Sequence, residues 1–510
     1  MWIKGAAAAL CLGTALAGPA RAEPPLSAID WLSDSVSEPA APAPPGAGDV
    51  VRGAAPEEIS VTALSGPRLD AVGLLPPAVT GLPAETWGDS DTDELVRLIQ
   101  AKRAPRLPAT AGLLYTLLLA ELDPPRGSEQ DGRLLLARLD TLLALGALDQ
   151  AQALLERAGP TQPALFRRWF DVSLLTGHED RACAAMRATP DIAPTFPARI
   201  FCLARGGDWN AALLTLDTAK ALGFVTEEED ALLIRFLDPG LFEGEPPLPV
   251  PAHPSPLVFR MFEAIGEALP TTTLPLAFAQ SDLRFTAGWK ARVEAAERLA
   301  RSGAIDENRL LGIYTERMPA ASGGVWDRVE AVQAFDVALL SGDPGAVARA
   351  LPPAWAAMQE AGLEIPFATL YGERLARLPL TDTARALAFL IAMLSGSYEA
   401  VAAAHEPATP QEAFLAGLAR GDIAGLEPPT PAAAALAEAF AGATPGPQLG
   451  ALLERGRLGE ALLQAIAMIG TGAEGDLGDL TAGVALLRRV GLEDVARRVA
   501  LQIVILEPRA

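Results

Sequence analysis

Beyond Asp93, apolar residues recur three and four positions apart through most of the chain. The clearest stretch is 134–158. Leu134, Leu135, Leu139, Leu142 and Leu143 precede Gly146, and Leu148, Ala151, Leu154 and Leu155 follow it. That spacing is a helical period with a break at the glycine, so it predicts two helices joined by a short turn. The break recurs in kind: Gly146 is followed five residues on by Ala151, Gly177 by Ala182, Gly207 by Ala212, Gly456 by Ala461 and Gly491 by Ala496. A glycine ends the first helix where the chain must enter a left-handed turn, and a small alanine lets the second helix approach the first closely. The glycine steps are 31 and 30 residues in the first group, while Gly421, Gly456 and Gly491 lie 35 apart. Periods of about 34 residues belong to helix-turn-helix repeats.

The Gly-x-x-x-x-Ala signature, with Leu148, Trp209 or Leu458 two residues after the glycine, resembles the tetratricopeptide repeat over about residues 130–225 and 330–505. The match is divergent, since Gly342 is followed five on by Val347, Gly421 by Leu426, and Gly396 has its alanine one residue early at Ala400. The resemblance implies an all-α solenoid of helix-turn-helix repeats and says nothing about activity.

Outside the repeats the pattern changes. Residues 23–92 read as a Pro-rich, largely irregular arm, with Pro39, Pro42, Pro44 and Pro45 closely spaced. Within it, Leu26, Ile29, Trp31 and Leu32 form an apolar cluster on a short amphipathic helix over 26–36, a candidate docking element. Residues 59–87 are too apolar for a free linker and too rich in Pro and Gly for a helix. They are expected to run extended along the folded body, anchored by Leu74, Leu75, Pro76, Pro77, Leu82 and Pro83. One helical block then spans 93–240, a Pro-rich break 241–256, and a second helical block 257–510.

Composition narrows the class. The 510 residues exceed what one compact core supports, which fits several domains or an extended array. The apolar half of the chain is mostly Ala and Leu, with aromatics at 5%, a mixture suited to close helix packing. A net charge of −22 repels phosphate backbones, so nucleic acid is excluded as an expected partner. At the amino end, Lys4, an apolar stretch over 5–17 and Ala20-Arg21-Ala22 read as a secretory signal over 1–22, cleaved after Ala22. That predicts a periplasmic or secreted protein. No later stretch is long and apolar enough to span a membrane, the longest being cut by Glu121, Asp123 and Pro124.

The chemical-looking motifs read as structure. Gly470-Thr471-Gly472-Ala473-Glu474-Gly475 spells the dinucleotide fingerprint, yet a helix over 461–469 precedes it where a strand is required. Gly470 is expected to cap that helix, and the remainder to be a loop. Thr226 with Glu229 forms a capping box, which accounts for the acidic run 227–230. His178, His253 and His405 share no ligand spacing. No catalytic, cofactor or metal site is predicted. Two cysteines remain after signal cleavage, Cys183 near the end of one repeat and Cys202 near the start of the next. They stand 10 and 9 residues from a turn near Ala193, which sets them level and predicts a disulfide in an oxidising compartment. The expected function is that of an exported, non-catalytic interaction or scaffold protein holding a protein or peptide on a helical-repeat surface. The alternative is an accessory or member of the cell-envelope, peptidoglycan-processing enzymes.

Overall fold

A computed structural model describes residues 68–101, 107–128 and 132–506. The signal segment and the 26–36 docking helix, with Leu26, Ile29, Trp31 and Leu32, lie outside the described residues. Every regular element among the described residues is helical, and the sole β-type contact is a parallel bridge between Leu75 and Ala120.

Neighbouring helices pack in pairs wherever the glycine and alanine signature stands: Arg133–Ala144 with Leu148–Ala158, Pro163–Thr176 with Glu179–Ala188, Phe196–Arg205 with Trp209–Ala221, Gly446–Glu454 with Leu458–Ala473, and Leu477–Arg489 with Glu493–Leu506. The five glycines Gly146, Gly177, Gly207, Gly456 and Gly491 take φ between +67° and +85°, where a β-carbon is disfavoured. Ala151, Ala182, Ala212, Ala461 and Ala496 are completely buried. Thr226 and Glu229 form the reciprocal capping box that starts Glu227–Leu237.

The helix of the fingerprint-like stretch does not stop at Gly470. It runs as Leu458–Ala473 straight through Gly470, Thr471 and Gly472, and the loop is confined to 474–476. The reason is packing against Leu477–Arg489. A β-carbon on Gly472 would lie 2.6 Å from Leu480 Cβ, and one on Gly483 would lie 2.7 Å from Ile469 Cγ1, so these glycines bring two helix backbones together.

An open array leaves its first and last helices with one neighbour each. Here the ends meet. The last helix, Glu493–Leu506, packs on Pro108–Leu119, and Leu458–Ala473 packs on both Thr92–Ile99 and Pro108–Leu119. The buried Gln502 carbonyl accepts the Ala109 N–H at 2.9 Å, satisfying one of the free donors at the start of that helix. Trp87 is fully buried on Gly459, where any side chain would collide with the indole, and Gly459 N–H donates to Thr86 O at 2.7 Å.

The turns of the first block are covered as well. Gln280 Nε2 donates to Gly146 O at 2.7 Å, Ser281 Oγ to Leu175 O at 3.0 Å, and Ser302 Oγ to Leu145 O at 2.9 Å. Side chains from 280–302 thus take up carbonyls that the first block's helix ends leave over. Between the blocks, the Pro-rich loop is pinned: Arg235 Nη1 donates to Pro246 O at 3.0 Å and Glu267 Oε1 at 2.7 Å, and Glu267 Oε2 accepts Leu248 N–H at 2.8 Å. Beyond it, Pro256–Ala264 packs back on Pro163–Thr176.

Residues 68–90 form a strap across this body. Leu74 and Leu75 N–H both donate to Leu119 O, at 2.7 and 3.0 Å, and Glu121 N–H donates to Leu75 O at 2.8 Å. Leu82 is buried. Asp70 Oδ1 accepts Leu135 N–H at 2.9 Å, capping the helix Arg133–Ala144 from outside it.

Candidate functional site

Two features stand out from this frame, a surface and a cleft. The surface is one face of Trp209–Ala221. Asp208 caps this helix by accepting Ala211 N–H at 3.1 Å, and Ala212, Leu216 and Ala219 form its buried stripe. Beside that stripe Trp209 is 47% exposed and Leu213 46%; Leu214, about 100° further round the helix, is 69% exposed, with Asn210 and Asp217 also exposed between them, and Leu222, past the helix end, is 60% exposed. Trp209 and Leu213 stand one turn apart, so their side chains adjoin. Two residues after Gly146, as Trp209 stands two after Gly207, Leu148 is completely buried, where Leu148–Ala158 packs against Pro163–Thr176. After Trp209–Ala221 the chain supplies Glu227–Leu237 and the short turn Pro239–Phe242 before it returns through the Pro-rich loop, which leaves Trp209 and Leu213 half exposed.

The cleft lies where five segments of the chain converge. It has a volume of about 640 Å³ and is walled by Tyr115 of Pro108–Leu119, Asp149 and Gln150 of Leu148–Ala158, residues 300–309, and Glu364 with Ile365 at the start of Glu364–Ala376; Leu506 of the last helix closes one side. Tyr115 Oη donates to Ser302 O at 3.1 Å, so the phenol hydroxyl is engaged and the ring forms the wall. Arg309 pairs with Asp149 at 3.1 Å, and Arg301 Nη1 donates to Ala361 O at 2.9 Å. Glu364 differs from these. Burial raises its carboxyl above the ordinary range, opposed only by its own backbone N–H. Burial likewise raises the Tyr115 hydroxyl.

The residues singled out in the sequence are distributed otherwise. Cys183 and Cys202 are both buried and joined, with Cα atoms 5.0 Å apart, bridging Glu179–Ala188 to Phe196–Arg205. His178 is exposed and its Nδ1 lies 3.1 Å from Thr176 Oγ1, His253 is exposed in the Pro-rich loop, and His405 stacks on Phe389 with Nε2 2.7 Å from Glu412 Oε2. No cluster of three or more His, Cys, Asp or Glu side chains is placed to hold a metal ion among the described residues. No helix among them is long and apolar enough to cross a membrane.

Sequence reasoning missed Arg138 and Asp171. Arg138 is completely buried, and its guanidinium donates to Leu118 O at 2.8 Å, Val72 O at 2.8 Å and Ala120 O at 2.9 Å, fastening the strap to the helix end beneath it. Burial lowers its pKa to about 10, with Asp70 opposing. An Arg in a Leu-rich helix gave the only available signal, and it reads equally well as a surface residue. Burial pushes the Asp171 carboxyl up to about 7 against the pull of Arg167 and Arg168. No protein-family model, curated protein or solved structure matches the chain.

Proposed function

We propose that the protein is an exported, non-catalytic interaction protein, a divergent tetratricopeptide-like array closed on itself, that engages a protein or peptide partner through the apolar face of Trp209–Ala221. The observation that carries this is the half-exposure of the adjoining Trp209 and Leu213, with Leu214 exposed nearby, at the end of the first helical block of a strongly acidic chain. Exposed apolar surface of this kind costs solubility and is characteristic of binding surfaces, and helical arrays commonly work through theirs. The Pro-rich arm with its 26–36 helix serves as a second docking element on a leash.

The test uses mature protein as bait in periplasmic extract, with Trp209→Ala and Leu214→Glu introduced together. Leu214 is mostly exposed and Trp209 about half packed, so helical circular dichroism stays as in the parent and the thermal midpoint falls only slightly. The expected result is loss of one discrete partner. Recovery of the same partners by parent and variant refutes the assignment of this face. Replacing Trp31 and Leu32 by Ala tests the arm in the same assay.

A further inference from the structure

The half-exposed edge of Trp209–Ala221 is bounded by acids. At 100° per residue, Trp209, Leu213, Asp217 and Lys220 fall within an arc of about 80° on this helix. Asp217 is exposed one turn beyond Leu213. Lys220 Nζ pairs with Asp230 Oδ2 at 2.7 Å, which sets the first turn of Glu227–Leu237 at the far end of the edge. Glu227 and Glu228 are exposed in that turn. The apolar pair Trp209 and Leu213 therefore has a carboxylate at its side and two more at its end.

The wider balance has the same sign. Residues 179–255 carry twelve acids against six cations, and four of the six are already paired. Arg181 meets Glu156 at 2.9 Å, Arg205 meets Asp180 at 2.6 Å, Lys220 meets Asp230, and Arg235 meets Glu267 at 2.7 Å. Of the other two, Arg187 lies against Gly206 in the preceding turn and Arg199 is exposed. Charge then decides among occupants. The chain's own arm is repelled, since residues 23–67 hold seven acids against Arg52, and the 26–36 helix carries Asp30 and Asp34 with no cation. A second copy would bring the same acids together about a twofold axis. A helix with Leu or Phe on one side and Lys or Arg along its borders matches both the apolar edge and the acids around it.

Resting on the reading of this face as the docking surface, we propose that it takes a cationic amphipathic helix of another protein. The apolar side of that helix lies on Trp209 and Leu213, and its Lys or Arg residues pair with Asp217, Glu227 and Glu228.

The test titrates the full mature chain into a labelled synthetic helix of Leu and Lys, at physiological ionic strength, and follows anisotropy. Its Leu and Glu counterpart, and a Leu and Lys peptide scrambled to remove the apolar side, are the comparisons. One-to-one, saturable binding of the first is expected, with none of the second and at least about tenfold weaker binding of the third. Trp209→Ala with Leu213→Gln weakens binding by about tenfold or more while helical circular dichroism is kept. Asp217→Asn with Glu228→Gln also weakens it and lowers its dependence on salt. Glu406→Gln with Glu427→Gln makes the same change of net charge at exposed positions of the second block and leaves binding unaltered. The proposal is overturned if the Leu and Lys helix does not saturate, if the Leu and Glu helix binds as well, or if the scrambled peptide binds equally. Equal binding by the Asp217 and Glu228 variant and the parent also overturns it. If the peptide fails while the bait in periplasmic extract still loses its partner with Trp209→Ala and Leu214→Glu, the partner is not cationic and the docking surface stands. If neither the peptide nor an extract partner depends on Trp209, both readings fall.

Discussion

Arg138→Met tests how the strap is held. The substitution keeps most of the aliphatic volume and removes a long hydrogen bond of 3.5 Å to Asp70 O together with three short charge-assisted ones, to Leu118, Val72 and Ala120. At about 1.5–3 kcal/mol each, the three short ones amount to roughly 5–9 kcal/mol. Against that stands relief from burying the guanidinium. The fall of its pKa from 12.5 to about 10 corresponds to about 3 kcal/mol. The net cost is therefore about 2–6 kcal/mol, concentrated where the strap meets Leu119 and Ala120. Hydrogen exchange reads it locally. The Leu74, Leu75 and Glu121 amides close the strap onto the helix end, and in the variant they should exchange at least about tenfold faster, 1.4 kcal/mol being a factor of ten. Amides inside Glu364–Ala376, remote from the strap, serve as the control. Unchanged exchange at all three strap amides, with an unchanged unfolding midpoint, refutes the role given to Arg138.

The disulfide between Cys183 and Cys202 spans 19 residues, so replacing both by Ser should cost about 3 kcal/mol in the chain-entropy description. Denatured, unreduced protein beginning at Glu23 should show no free thiol, and two per chain contradict the bond. Asp171→Asn should stabilise the protein in a pH-dependent way. The folded carboxyl titrates near 7 rather than its ordinary 3.8, so the native state holds its proton more tightly and the parent loses stability as pH rises from about 4 through about 7. The variant should match the parent at pH 4 and exceed it at pH 8, by at most about 4 kcal/mol. Equal thermal midpoints at pH 8 count against a buried charge there. Far-ultraviolet circular dichroism of the mature protein should be dominated by helix, and strand above roughly a fifth contradicts the fold.

The helices and their pairing were legible because both are short-range properties. Gly146 followed by Ala151, or Gly491 by Ala496, writes a turn and a close contact into five consecutive positions. The capping box at Thr226 and Glu229 is equally local. What the sequence hid lies at long range. Nothing near Gln502 indicates that its carbonyl meets Ala109, and nothing near Gln280 indicates that it closes the turn at Gly146. The Gly470 region shows the opposite failure. Glycine there reads as a stop, whereas its neighbour Gly472 makes room for Leu480 across a helix pair. Trp209 and Leu148 both stand two residues after a turn glycine, and only the return of the chain through the Pro-rich loop makes one half exposed and the other core. The cleft combines all of these, since Tyr115, Ser302, Glu364 and Leu506 come from segments that no periodicity connects.

Photo-crosslinking at Leu214 is the most direct measurement of the central claim. A benzophenone side chain placed there, in cells exporting the full chain, sits on the open face of Trp209–Ala221 at a position already 69% exposed. A single discrete adduct with another protein, lost when Trp209 is replaced by Ala, is the expected result. Adducts only with residues 23–67 of the same chain, or no adduct at all, contradict the claim that this face receives a partner.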